Sequence, residues 1–253
     1  MQISFVDSRP TGDFALVLPA AGKNRIALDS LGADRMAVDA ALSRQRFEGD
    51  SGSVAELFVP AESGVRRLLV VGTGDGTSPA DAAEKLGGAL VGRLLTSGET
   101  QAVIDLTGLN YDTDAAARVA LAASLRAWRY DRYRTKLKDK QKPTLSRLTI
   151  VSARADAGSR WEERWQPVYE GVAFTRELVT EPANIIYPET FVERVQGAVK
   201  GTGLEVEVLD GAAMGKLGMG ALLGVAQGSV RDPRLLIMRW NGGNDGEVPG
   251  PFV

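Results

Sequence analysis

One unit near the start of the chain narrows the possible folds more than any other. Arg66–Val71 reads as an apolar strand, Gly72-Thr-Gly-Asp-Gly-Thr77 as a glycine turn, Pro79 to about Leu95 as a helix, and Ala102–Leu106 as a second strand. Leu86, Leu90 and Leu94 recur at helical spacing on one face. Ser78 is placed to cap that helix, Pro79 suits its first position, and Asp81 sits near its positive end. Strand, helix and strand in this order predict two parallel strands joined by a right-handed crossover. The expected result is an α/β sandwich with strand Arg66–Val71 central and the Ser78–Leu95 helix covering it.

Glycines between a strand and a helix can present N–H groups to a phosphate. Here the spacing is Gly-x-Gly-x-Gly rather than the dinucleotide Gly-x-Gly-x-x-Gly, and Asp105 does not clearly occupy the ribose-binding position. A tight turn that needs positive φ explains the three glycines as well.

The flanking chain adds further elements. Gln2–Val6 and Phe14–Pro19 read as strands split by the turn Arg9–Asp13. Residues 21–53 are mixed, with a short helix at Ala33–Leu42 and a loop at Glu48–Ser53. Asp112 or Thr113 starts a long helix with Leu121, Leu125 and Trp128 on its buried face, running toward Tyr133. Its end grades into a basic stretch, Arg129 to Lys142, with Tyr130 and Tyr133 interleaved. Basic residues with aromatics hint at nucleic acid, but Asp131 and Asp139 dilute the charge, and cations at a helix C-terminus also suit the dipole. Strand Arg147–Val151 closes a first domain, placed at residues 1–155. Residues 156–253 form the second. A helix over 162–180 leads to a connection broken by Pro182 and Pro188. Strand Leu204–Leu209, a short helix Ala212–Leu217, a flexible Gly218–Gly220, strand Leu235–Trp240 and a Gly/Asn/Pro loop over Asn241–Pro251 follow.

Composition excludes several chemistries. With no histidine and no cysteine among 253 residues, a Ser-His-Asp triad, a Cys-His pair and a His-ligated zinc site are impossible within this chain. Hydrolytic chemistry must use carboxylates and lysine, with or without metal. No run of about 18 apolar residues spans a membrane. The segment Met1-Gln-Ile-Ser-Phe-Val-Asp7 does not read as a secretory signal. A net charge of -2 gives no general attraction to nucleic acid or anionic lipid. These features fit a cytoplasmic protein.

The wording of the proline connection is specific. Arg176-Glu-Leu-Val-Thr-Glu-Pro-Ala-Asn-Ile-Ile-Tyr-Pro-Glu-Thr-Phe191 closely resembles the segment that opens the catalytic domain of the leucyl (cytosol) aminopeptidase family. Leu217-Gly-Met-Gly-Ala-Leu-Leu-Gly-Val-Ala-Gln-Gly-Ser229 and Pro233-Arg-Leu-Leu-Ile-Met-Arg-Trp-Asn-Gly242 resemble it in the same order, and Tyr130-Asp-Arg-Tyr-Arg-Thr-Lys136 resembles a segment late in the family's first domain. The resemblance implies a macro-like α/β domain over residues 1–155, then a linking helix and the first part of an α/β peptidase domain. It also implies peptide substrates, two divalent metal ions (Mn or Zn) held by Asp, Glu and Lys, and a homo-hexamer.

This sequence departs from the family in one respect. The family's first metal-ligand motif, Gly-Lys-Gly followed by Phe-Asp, normally comes just after the position of Val253, so no catalytic or metal-binding residue carries over. The chain therefore reads as a fragment, expected to be inactive alone. Should it turn over substrate with metal, the ligands would be sought among Asp105, Glu181, Glu189 and Asp210. Asn184 is the single candidate for the substrate pocket, although an Asn before a helix also turns or caps backbone. Gln227, Gly228 and Ser229 could line a site or simply form a turn. Glu181 and Glu189 lack a convergent partner for acid–base work. Met214 and Met219 read as filler. Two other readings stand beside the peptidase: a nucleotide-binding module on residues 1–155 beside Gly72–Thr77, and DNA binding through Arg129–Lys142.

Overall fold

The computed structural model describes residues 1–21, 26–61 and 64–241. The chain divides into two compact units, Met1–Thr175 and Arg176–Val253.

The first unit is built on a six-stranded sheet of β1 (Gln2–Val6), β2 (Ala15–Ala20), β3 (Val54–Ala61), β4 (Gly64–Gly72), β5 (Gln101–Asp105) and β6 (Arg147–Val151), in the order β1-β6-β5-β2-β4-β3. All neighbours run parallel except the β3–β4 pair. The predicted strand–helix–strand unit forms: α2 (Pro79–Leu94) carries the chain from β4 across β2 to β5. β4 is not central, however. The segment just before it, left unassigned in the sequence, contains β3, which takes the outer edge, so β5 and β2 occupy the middle.

Side chains alternate across this sheet as strand pleating requires. Val17, Leu69, Val71, Ile104 and Ile150 face α2 and α3 (Thr113–Ala127). Leu16, Leu18, Leu68, Val70, Val103 and Val151 face the opposite layer, which includes Leu28 in a 3-10 stretch and Val38 and Leu42 of α1 (Arg35–Arg44). The α/β sandwich is therefore covered on both faces, as a parallel sheet demands.

Helix ends follow their capping chemistry. Ser78 Oγ accepts from the amide of Asp81 at 3.2 Å and donates to its carboxylate at 2.8 Å. Asp112 accepts from the amide of Ala115 at 2.7 Å. Each cap contributes about 1 kcal/mol. α3 stops at Ala127 instead of continuing toward Tyr133. Trp128 turns to extended backbone, Trp128 and Tyr133 each pack against Tyr130, and Arg129 pairs with Asp131 at 2.7 Å and donates to the Gln141 carbonyl. These contacts replace helical continuation. The buried face of α3 is mostly alanine (Ala116, Ala117, Ala120, Ala123), while Leu125 and Trp128 are only half-buried.

Residues 157–180 are helical in three pieces: α4 (Ala157–Arg160), a π turn (Trp161–Trp165) and α5 (Gln166–Thr180). Ala157 and Trp161 are buried in the first core, and Trp165 and Tyr169 pack against it. The compact unit consequently extends to Thr175, where the sequence had placed the division at 155/156.

The second unit contains α6 (Pro188–Ala198), β7 (Glu205–Leu209), α7 (Gly211–Lys216), α8 (Gly220–Ala226) and β8 (Leu235–Arg239). β7 and β8 pair antiparallel, from Glu205 opposite Arg239 to Leu209 opposite Leu235. The glycine-rich run expected to be flexible instead starts α8 at Gly220. β8 is a half-covered strand: Leu235 to Ile237 are half-buried, while Met238 and Trp240 are exposed. Most of the expected closing loop lies outside the described residues. Among the described residues, no helix is long and apolar enough to cross a membrane.

Candidate functional site

The proline connection folds into a tight elbow. α5 ends before Pro182, whose ring cannot continue it. The amides of Ile185 and Ile186 both donate to the Pro182 carbonyl, at 2.8 and 3.0 Å. The amide of Tyr187 donates to Thr190 Oγ1 at 3.0 Å, and that hydroxyl donates back to the Ile185 carbonyl at 2.8 Å. Pro188 then opens α6 at its first position. Asn184 lies in this turn with its side chain exposed.

The two acids beside the elbow are each tied to an arginine. Glu181 has no exposed side-chain surface and accepts from Arg194 Nη2 at 2.9 Å, while Arg194 Nη1 donates to the half-exposed Glu177 at 3.2 Å. Glu189 accepts from Arg234 at 3.2 Å. The guanidinium of Arg231 lies 3.9 Å from the centre of the Tyr187 ring, a cation–π stack. Ser229 Oγ accepts from the amide of Arg231 at 3.0 Å, and the Ser229 amide donates to Ala226 at the end of α8. Through Arg231 and Tyr187, the turn holding Gln227, Gly228 and Ser229 meets the elbow that carries Asn184. Arg194, Arg231 and Arg234 were missed in the sequence. The available signal was an apolar-flanked elbow with two acids, which needs cations wherever it is buried.

Remaining candidates have structural duties. Met214, on α7, is buried and Met219 is half-buried. Asp210 caps α7 by accepting from Ala213 at 2.8 Å. Asp105 is buried and accepts from the amide and hydroxyl of Thr107, at 2.9 and 2.6 Å, and from Arg9 Nε at 2.5 Å. Among the described residues, no three Asp, Glu, Cys or His side chains group closely enough to hold a metal ion. The two divalent ions implied by the resemblance thus meet no such cluster among the described residues.

The glycine turn is engaged by the chain itself. Gly74 and Gly76 have φ of 73°, as a tight turn requires, but Gly72 is needed for space: a β-carbon there would lie 2.1 Å from the Asp50 carbonyl oxygen. The Gly74 amide donates to Gly49, the Gly72 amide to Ser53, and the Gly72 carbonyl accepts from Gly52. In open α/β sheets a ligand sits where connections from neighbouring strands diverge. Here that place is between the ends of β2 and β5. A β-carbon on Gly108 would lie 3.0 Å from the Cα of Ala27 there, and Arg9 bridges Asp105 and Ser30.

The basic stretch is partly neutralised within itself, with Arg134 near Asp131 at 3.7 Å and Lys142 on Asp139 at 2.8 Å. A shallow acidic hollow of about 430 Å³ is lined by Asp112, Asp114, Asp156, Arg160 and Glu163 among others. Burial there pushes Asp114 upward. Hydrogen bonds from Arg118 (2.7 Å), Arg160 (2.7 Å) and Trp165 (3.0 Å) outweigh it and hold the carboxyl below its ordinary value.

The family model described as "Cytosol aminopeptidase family, N-terminal domain" matches residues 18–137, and that for the catalytic domain of the same family matches residues 173–253. The chain belongs to the cytosol aminopeptidase family. A probable cytosol aminopeptidase of Rhodopseudomonas palustris is 41% identical over 231 residues, covering 90% of this chain and 46% of the relative. One from Xanthobacter autotrophicus is 39% identical over 225 residues, covering 88% and 45%. The chain spans about half the length of the curated relatives it matches. The fold is that of a tomato leucine aminopeptidase mutant (TM-score 0.81, 23% identity, 96% of this chain and 52% of that one). It is also shared with the bottromycin maturation enzyme BotP in complex with Mn (TM-score 0.69, 22% identity, 90% and 45%). The family's catalytic match begins within α5, close to where the second compact unit starts.

Proposed function

We propose that this polypeptide serves a leucyl aminopeptidase, a metallo-exopeptidase that releases N-terminal residues such as leucine from peptides. The observation that carries this reading is the match to both domains of one family, in order, together with relatives near 40% identity that bear the aminopeptidase name. The Mn complex of BotP supports a requirement for divalent metal. In this reading the whole enzyme works in the cytoplasm as a homo-hexamer with two Mn or Zn ions. Residues 1–253 supply the first domain, the linking helix and the elbow, with Asn184 lining the peptide pocket. The residues that hold the metals are supplied by further catalytic-domain sequence.

The test is hydrolysis of leucine p-nitroanilide with added Mn or Zn. Residues 1–253 alone should give no turnover above background, and turnover should appear when the remaining catalytic segment of a relative is supplied. Metal-dependent turnover by the 253-residue chain alone would overturn its assignment as inactive and direct attention to Asp105, Glu181, Glu189 and Asp210. No turnover even in the complemented protein would count against the peptidase reading itself.

A further inference from the structure

Ligands of open α/β sheets bind at the carboxyl edge of the parallel strands. Between β2 and β5 that edge is crowded by the approach of Gly108 to Ala27 and by the Arg9 bridge. On the other side of β5 there is room. A cavity of about 230 Å³ is lined there by Leu106, Leu109, Asn110, Tyr111, Ser152 and Arg154 among others, from the two segments that follow β5 and β6. It is smaller than the sites of about 300 Å³ or more that take nucleotide-sized ligands. The Leu106 amide donates to the Val151 carbonyl at 2.9 Å, Arg154 Nε donates to the Tyr111 carbonyl at 2.9 Å, and Ser152 Oγ accepts from the Arg154 amide at 3.1 Å. The fold therefore orients the Arg154 guanidinium, yet its Nη groups meet no acceptor among the described residues. No carboxylate lines the cavity. The acids nearby are engaged elsewhere: Asp105 with Arg9 and Thr107, Asp112 in capping α3, and Asp156 with Thr113. Tyr111 is buried, and its hydroxyl has no partner among the described residues.

We propose that this cavity binds a small monocarboxylate with a short apolar body, its carboxylate on Arg154 and its body against Leu106, Leu109 and the ring of Tyr111. With Nε committed to the Tyr111 carbonyl, the guanidinium keeps two Nη groups side by side, the spacing that two carboxylate oxygens match. A single cation with no lining acid suits one negative charge, whereas a phosphate dianion calls for more donors. Arg154 is exposed, so its charge alone would hold an anion weakly. The apolar lining is what separates this ligand from any other anion. The site lies within the first unit and stands apart from the peptidase reading.

Amide NMR on the 253-residue chain, titrated with isovalerate, tests this, with isoamyl alcohol as the uncharged counterpart and inorganic phosphate as the anion without an apolar body. Isovalerate should shift the amides of Leu109, Tyr111 and Arg154 saturably at low millimolar concentration and leave those of β3 in place. The alcohol and phosphate should each bind about tenfold more weakly or less. Arg154→Met should weaken isovalerate by about tenfold or more, and Arg154→Lys, which keeps the charge but not the fork, should fall between that variant and the native chain. The absence of a saturable shift overturns the proposal. So does phosphate or the alcohol binding as tightly as isovalerate, or undiminished isovalerate binding in Arg154→Met. If Arg154→Met does not fold, Arg154→Lys decides: a several-fold loss of affinity supports the site, and native affinity overturns it.

Discussion

A β-carbon placed on Gly87 would stand 2.3 Å from the carbonyl oxygen of Val119 and 3.0 Å from the amide nitrogen of Ala123. α2 and α3 therefore touch backbone to backbone at this point. Alanine normally stabilises a helix interior by about 1 kcal/mol relative to glycine. At Gly87 the sign should reverse, and Gly87→Ala should lower the melting temperature by forcing the helices apart. Its neighbour Gly88 has nothing within 4 Å of the same construction, so Gly88→Ala should gain about 0.5–1 kcal/mol. Thermal denaturation of the two variants side by side would show opposite shifts. Equal shifts would contradict the close approach.

Leu86 and Leu90 are fully buried between α2 and the sheet. Each contributes roughly 1.5–3 kcal/mol by burial, and a carboxylate in the place of Leu90 would add the cost of an unpaired buried charge. Leu90→Asp should unfold the first unit, seen as loss of its cooperative transition by circular dichroism. A variant that melts at the native temperature would refute the face assignment.

Tyr111 is buried, its hydroxyl has no hydrogen-bond partner among the described residues, and burial pushes its pKa up to about 12. The folded state keeps this proton more tightly than the unfolded chain, where the group titrates near 10.0. Its contribution is therefore complete below pH 10 and is lost as pH rises toward 12. Tyr111→Phe should leave stability at pH 7 unchanged or slightly higher, since an unpaired hydroxyl is removed, and should flatten the alkaline loss. Urea denaturation at pH 8 and pH 11 would measure both effects. A large loss for the variant at pH 7 would mean that the hydroxyl is bonded.

Asp114 gathers Arg118, Arg160 and the Trp165 ring nitrogen, joining α3 to the helical run that follows β6. Its carboxyl is held below 3.8, so the stabilisation is present above that pH and fades as pH falls through the lowered folded value. Asp114→Asn should lower the melting temperature at pH 7, and the difference from the native chain should shrink below about pH 4. A difference independent of pH would assign the effect to packing.

Local signals were sufficient wherever one stretch of chain decided its own conformation. Ser78, Pro79 and the leucines of α2 gave that helix almost to the residue, and Pro182 and Pro188 located the elbow. The misses arose where distant partners decide. β3 contains Glu56 and Pro60 and is a strand because β4 pairs with it over its whole length. α3 ends early because Trp128, Tyr130 and Tyr133 pack together, and Arg129 finds Asp131 and Gln141. At the elbow the acids were visible, but the arginines that meet them come from α6 and the segment before β8. No periodicity encodes such pairings.

The π turn at Trp161–Trp165 works as a phase adjuster. An ordinary helix turns about 100° per residue, and a π turn accommodates one residue more than its neighbours do, so everything downstream is rotated by about that angle. Trp161, Trp165 and Tyr169 reach the core of the first unit with this extra residue in place. Deleting any one residue between 161 and 165 would leave the helix unbroken and its composition almost untouched, yet would swing Tyr169 away from that core. The segment is thus insensitive to many substitutions but intolerant of a change in length, and indels should be far rarer here than in the loops on either side.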